Sequence, residues 1–289
     1  MDRHELLQKI ATFPLIARNL AEDLLTGDFR SMFRGQGIEA DEVRRYERGD
    51  DVRSIDWSVS ARFGSPYVKM YREERDMVLS LVLDCSPSMR CGGVVSCYDQ
   101  AILVAALIAF SAEQAGLRVG ATFFARKINA VFLPRKGRAH LMSMINAAIQ
   151  AEPTGNGSDL GFALTTVRQS LKRRSLIVVI SDFQSVHWEA EMGDLCQKHE
   201  VLAIRISSPL GEALPEAGLL SIQDPETGII TYAPTHSAAF QKAWSQWHQD
   251  RSTSWYALTR RAGARSLNIS TDDDAATYLI RFFKNRGPR

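Results

Sequence analysis

Residues 77–89 read MVLSLVLDCSPSM, a short and almost continuous apolar run that reaches the carboxylate of Asp84 and continues into two serines. Runs of this kind belong to strands buried on both faces of a parallel sheet, since a strand with one wet face alternates apolar and polar residues. Three more follow: RVGATFFA at 118–125, LIVVISD at 176–182 and VLAIRI at 201–206. Helical patterns lie between them, at about 99–115, 139–150, 160–173 and 188–199. Strand and helix in alternation predict an α/β fold, with a doubly wound, mostly parallel sheet flanked by helices. The segment 128–133 begins three residues after the second strand, too soon for a crossover helix, so it is expected to pair antiparallel as a hairpin.

Outward from this core the rhythm changes. Residues 207–235 hold two short strands about a Pro-Glu-Thr-Gly turn, a β-hairpin insertion. A long helix at about 237–262, a strand near 266–270 and a last helix at about 273–284 complete the chain. Upstream, Leu6, Leu7, Ile10, Phe13, Ile16, Leu20, Leu24 and Leu25 mark one face of a helix that Pro14 is expected to kink or split. Residues 41–76 interleave eight basic with nine acidic side chains, a balance that excludes a phosphate-binding stripe. With Tyr46, Trp57, Phe63, Tyr67 and Tyr71 among them, they read as an ion-paired folded element with extended segments near 55–60 and 67–71. The expected division is therefore 1–76, an N-terminal helix and charged segment, and 77–289, the α/β domain.

Composition narrows the function. Of 289 residues, 45% are hydrophobic and 24% charged, which excludes a disordered or fibrous chain. Lys and Arg number 35 against 33 Asp and Glu, so no bulk charge points to nucleic acid or an anionic membrane. Five residues separate Cys85 from Cys91 and Cys91 from Cys97, too wide for a zinc knuckle, and with Cys196 they read as free thiols in a reducing cytoplasm. The longest apolar run, AILVAALIAF at 101–110, has half the length a bilayer span needs. No signal-peptide pattern opens the sequence, and the expectation is a soluble, cytoplasmic protein with no membrane span.

The chemistry gathers at strand ends. In open α/β sheets, ligands bind beyond the carboxyl ends of the strands, where the strand order reverses. Asp84, Ser86 and Ser88 leave the first strand at alternate positions, and LIVVISD delivers Asp182 from another. The loop GNGSDLG offers Ser158 and Asp159, with Thr154 nearby. Asp84, Ser86, Ser88, Ser158 and Asp182 together give five oxygens and leave one vacancy in an octahedron. Oxygen donors alone suit a hard divalent cation, Mg²⁺ or Mn²⁺.

Asp-x-Ser-x-Ser after an apolar strand, with a later strand ending in Ser-Asp, resembles the metal-ion-dependent adhesion site of von Willebrand factor A domains. The preceding stretch RRYERGDDVRSIDWSVSARFGSPYVKMYREERD, 44–76, is more specific. It resembles the signature of bacterial domain-of-unknown-function family fifty-eight, A-like proteins typically encoded beside MoxR-type AAA+ ATPases. The resemblance implies an A-type fold over roughly 30–285 and a metal on Asp84, Ser86, Ser88, Ser158 and Asp182. The family usually carries threonine in a Gly-Thr-Asp-Leu pattern where this chain has Gly157-Ser158-Asp159-Leu160. Serine is freer than threonine at χ1, so metal affinity is expected to fall or Asp159 to join as an additional ligand.

Neutral hydroxyl ligands leave the cation's charge only partly compensated, so it seeks an anionic sixth ligand from a partner. No residue of the motif is an evident base for an attacking water, which points to a docking site and not an enzyme. The resemblance implies an adaptor working with a MoxR-type AAA+ ATPase in chaperone-like assembly, or with a client offering an acidic side chain. Asp50, Asp51, Arg53, Asp56 and Trp57 are candidates for a partner surface, against the plainer view that the charged segment is an intramolecular ion-pair lattice. The rival from another class is a divalent-metal phosphoester hydrolase with Asp84 as nucleophile. Such enzymes need a second carboxylate two residues on, where this chain has Ser86.

Overall fold

The computed structural model describes residues 1–26, 43–47, 52, 55–69, 77–152 and 157–284. Two compact units emerge, 1–27 with 77–289, and 28–76. The N-terminal helix therefore belongs with the α/β unit and not with the charged segment that follows it.

The large unit is built on a six-stranded sheet. Its strands are β3 (Val78–Asp84), β4 (Arg118–Phe124), β5 (Ile128–Arg135), β6 (Leu176–Ser181), β7 (Glu200–Ser207) and β10 (Arg265–Ser270), ordered β10-β7-β6-β3-β4-β5. All neighbours are parallel except β4 and β5, the hairpin that the three-residue connection dictates. Gly120 makes that hairpin possible: a Cβ there would lie 2.8 Å from the Phe132 carbonyl oxygen, where the ladder shifts register. Every residue of β3 and β6 is buried, as their apolar runs require.

Helices cover both faces. On one lie α1 (Arg3–Thr26), α3 (Cys97–Gln114), α4 (Arg138–Gln150) and a C-terminal helix, α8 (Ala275–Lys284). The apolar run at 101–110 is the middle of α3, enclosed by the sheet on one side and other helices on the rest, so it is apolar all round without crossing a membrane. Among the described residues no helix is long and apolar enough for such a crossing. Leu6, Ile10, Phe13, Ala17 and Leu20 form the buried stripe of α1, which runs through Pro14 as one helix. On the other face α5 (Leu160–Ser170), α6 (Glu189–Lys198) and α7 (Ala238–Ala262) close a core around Val82, Phe124, Leu164 and Trp255. The insertion forms the hairpin β8 (Leu219–Gln223) and β9 (Ile230–Pro234).

His199, between α6 and β7, is 3% exposed, and neither ring nitrogen has a partner among the described residues. Burial, with the Lys198 charge, pushes its pKa down to about 4. A depressed folded-state value means that stability present above the unfolded pKa of about 6.5 is lost as pH falls toward 4. His199→Phe is expected to flatten the stability profile across that window by on the order of 1–3 kcal/mol, measured by urea denaturation at successive pH values.

The small unit is described by itself. β1 (Val43–Arg45) pairs antiparallel with β2 (Tyr67–Lys69), and Ile55 bridges to Val68. The segment expected to be extended at 55–60 turns into helix α2 (Trp57–Phe63) instead. The cause is local: the Asp56 carboxylate accepts from the Ser58 and Val59 amides, and Gly64 closes the helix at φ 63°.

Candidate metal and docking site

The strand order reverses at β3 and β6, and the site lies at their carboxyl ends. Asp84, the last residue of β3, is fully buried. Its Oδ1 accepts from the Ser86 amide at 2.9 Å, while Oδ2 accepts the hydroxyls of Ser181 at 2.7 Å and Ser158 at 3.2 Å. One carboxylate thus ties together three segments of chain. Burial, then the charge of Asp182, pushes its pKa up to about 7.

Pro87–Arg90 forms a single tight turn that brings the Ser86 and Ser88 hydroxyls within 3.1 Å of each other. Adjacent ligands of an octahedral cation at 2.0–2.1 Å are about 3 Å apart, so this pair has the spacing of one ligand edge. Asp182 follows β6. Its Oδ1 accepts from the Gln184 amide at 3.0 Å, but Oδ2 is buried with no hydrogen-bond partner among the described residues. Burial raises its pKa, against the pull of the Gln184 amide, the nearby Ser88 hydroxyl and, further out, Arg251. A buried carboxylate oxygen without a partner is costly, and a bound cation would satisfy it.

Phe183 fixes the direction of Asp182. Its backbone is left-handed, with φ 54°, and its amide donates to the Ser181 hydroxyl at 2.9 Å. Ring contacts to Trp188 and Trp255, each at 5.3 Å between centroids, hold this strained residue in place. Below the site, burial pushes the Cys85 thiol up to about 12, so it is inert packing. All four cysteines are free.

The residues read from sequence separate into groups. The structure brings Asp84, Ser86, Ser88, Ser158 and Asp182 to the same end of the sheet. Asp159 is exposed, and its Oδ1 accepts the Phe162 amide as the cap of α5. That capping bond accounts for it without a metal. Thr154, Asp50, Asp51 and Arg53 lie outside the described residues. Asp56 caps α2, and Trp57 beside it is 70% exposed. Among the described residues no group of three or more His, Cys, Asp or Glu side chains could hold a metal, so a cation here would depend on the serine hydroxyls.

Several residues escaped the sequence reading. Ser181 supplies the shortest hydrogen bond to Asp84, and its place beside Asp182 was the available signal. Arg205, His248 and Arg251, with Ser88 and Asp182, line a cavity of about 100 Å³ next to the site. Burial first, then the neighbouring arginines, pushes the His248 pKa down to about 4. Nothing in the local sequence of α7 marked His248 or Arg251. The cavity is well below the 300–1,000 Å³ of pockets that enclose small molecules, but it would admit a single acidic side chain.

Among solved structures, the chain is similar to BatB from Bacteroides thetaiotaomicron, with 15% identity, TM-score 0.49, and coverage of 71% of this chain and 96% of that one. It is also similar to the VWA domain of SpRpn10, with 11% identity, TM-score 0.44, and coverage of 74% and 98%. An uncharacterized protein of Mycobacterium tuberculosis (strain ATCC 25618 / H37Rv) is 31% identical over 294 residues, covering 99% of this chain and 91% of the relative. The family model described as "Protein of unknown function DUF58" matches residues 42–254, and the chain belongs to that family.

Proposed function

We propose that this protein is a non-enzymatic interaction module whose Asp84, Ser86, Ser88, Ser158 and Asp182 hold Mg²⁺ or Mn²⁺ as a docking point for an acidic side chain. The observation that carries the proposal is the unpartnered, buried Oδ2 of Asp182 beside a serine pair at ligand-edge spacing. The cation would supply an open coordination position for an incoming oxygen; the two carboxylates offset its formal charge and the three hydroxyls add none. Around it, Asp84 holds the three loops in register, and the Arg205–Arg251 wall of the cavity favours an incoming carboxylate. The resemblance to the MoxR-associated family supports a MoxR-type AAA+ ATPase, or its client, as the partner in this reading, with the encounter in the cytoplasm.

The test is capture of the purified MoxR-type ATPase on immobilised protein, in Mg²⁺ and in EDTA. Wild type is expected to retain it in Mg²⁺ only, and Ser86→Ala to lose it in both. Retention in all four conditions would contradict metal docking and shift attention to the charged segment.

A phosphoester hydrolase has one observation in its favour: His248, held neutral by burial, lines the cavity with Asp182. That alternative expects Mg²⁺-dependent turnover of p-nitrophenyl phosphate, lost in Asp84→Asn. Docking alone expects none.

A further inference from the structure

The wall of the cavity beside the site continues into an aromatic row on α7. Two of the lining residues, His248 and Arg251, touch the ring of Trp247. The imidazole meets it edge-on with centroids 4.7 Å apart, and the guanidinium lies 4.8 Å from its centroid. Trp244 and Phe240 follow at helical spacing, each ring 5.9 Å from the next. The Trp244 indole donates to the Gly211 carbonyl at 2.9 Å, which pins the turn Pro209–Glu212 against this row. Gly211 also lines the cavity, while Leu210 beside it is 51% exposed and Trp247 49%. A tryptophan and an arginine at the rim of a polar cavity, with apolar surface left in water, have the composition of an interface hot spot.

Polar groups in the cavity outnumber their partners. Ser208 Oγ and His248 Nε2 are buried without a hydrogen bond among the described residues. Arg251, half-buried, stacks on Trp247 but makes neither a hydrogen bond nor an ion pair with any described residue. Two arginines, Arg205 and Arg251, line the cavity against one carboxylate, Asp182. The serine hydroxyl donates, and the imidazole donates in the tautomer protonated at Nε2. Unused donors in a cavity of about 100 Å³ suit one carboxylate and exclude a large ligand. Packing alone explains neither the guanidinium without an acceptor nor the tryptophan left half in water. Resting on the docking reading above, we propose that the partner's docking segment is an acidic residue flanked by large apolar ones. Its carboxylate is bound by Arg251, His248 and Ser208, and its apolar neighbour packs on Trp247 and Leu210. Arg251 thus reads the charge and Trp247 the flank.

The test titrates the full chain with two capped peptides, Ser-Phe-Glu-Leu-Ser and Ser-Phe-Gln-Leu-Ser, by calorimetry in Mg²⁺ and in EDTA. The indole N–H signals of Trp244 and Trp247 are followed by NMR in parallel. Wild type in Mg²⁺ is expected to bind the Glu peptide about 10-fold or more tighter than the Gln peptide, the worth of one charged hydrogen bond. Arg251→Gln should bring that ratio near one. Trp247→Ala should weaken both peptides about 10-fold and keep the ratio, with Trp247→Phe recovering most of the loss. Melting temperatures matched to wild type establish that the variants fold. If Arg251→Gln keeps the Glu preference and only EDTA removes it, the cation alone reads the carboxylate; this subsite falls and the docking reading stands. If wild type shows no Glu preference in either buffer, both fall. Binding of inorganic phosphate without binding of either peptide would make the cavity a small-anion pocket and overturn the docking surface.

Discussion

Asp182→Asn and Asp84→Asn are expected to abolish the rise in melting temperature that Mg²⁺ or Mn²⁺ gives the wild type. A cation at 100 times its Kd adds about 2.7 kcal/mol, or about 5–10 °C for a unit of this size. In EDTA the variants should behave differently from most buried substitutions. Asp84 receives two hydroxyls and an amide, and the hydroxyls can turn to accept from an asparagine amide. Because burial raises the Asp84 pKa, its ionised form burdens the metal-free fold. Stability present while the group is protonated is lost as pH rises through about 7. Asp84→Asn should remove that loss, so the metal-free variant is expected to be at least as stable as wild type at pH 8. Cation affinity in wild type should rise over the same pH range, since only the ionised carboxylate serves the metal. Differential scanning calorimetry with and without Mn²⁺, at pH 6 and 8, reads all of these outcomes. Equal metal-induced shifts in wild type and both variants would contradict the assignment.

Tyr98→Ala is expected to cost about 3–5 kcal/mol, the range for deleting a buried ring. Tyr98 is fully buried at the start of α3, and its hydroxyl donates to the Ala148 carbonyl of α4 at 2.7 Å. The same hydroxyl lies 3.4 Å from the Cys85 sulfur, one residue beyond Asp84. Over the ring, 4.0 Å from its centroid, sits the Arg90 guanidinium at the end of the Ser88 turn. Tyr98 thus braces both sides of the site. Tyr98→Phe keeps the ring beneath Arg90 and leaves the Ala148 carbonyl its bond from the Ala151 amide at 3.2 Å, so loss of the hydroxyl should cost about 1 kcal/mol. Urea denaturation of the two variants separates ring from hydroxyl. Mn²⁺ affinity should survive in the phenylalanine variant.

The pattern of apolar runs carried the large sheet because fully buried parallel strands leave no polar alternation to confuse them. Asp84, Ser86 and Ser88 were legible for the same reason, being the first polar residues after such a run. The segment 55–60 misled because Ile55, Trp57 and Val59 alternate as in a strand, while a single carboxylate, Asp56, starts a helix there. Asp159 looked like a ligand by its place in the motif, yet its position at the start of α5 gives it a capping bond. Ser181 is hidden as the last residue of a strand buried on both faces, and the left-handed turn at Phe183 by the absence of glycine. His248 and Arg251 are brought in by tertiary folding over long stretches of chain, and no local spacing encodes that.

The central claim is that one divalent cation sits among Asp84, Ser86, Ser88, Ser158 and Asp182. Crystals of the full chain grown in Mn²⁺, with diffraction recorded at the manganese absorption edge, test it most directly. The expected result is a single strong anomalous peak about 2.0–2.3 Å from the Ser86 and Ser88 hydroxyl oxygens. No peak at that position under saturating Mn²⁺, or a peak elsewhere with these side chains untouched, would contradict the account.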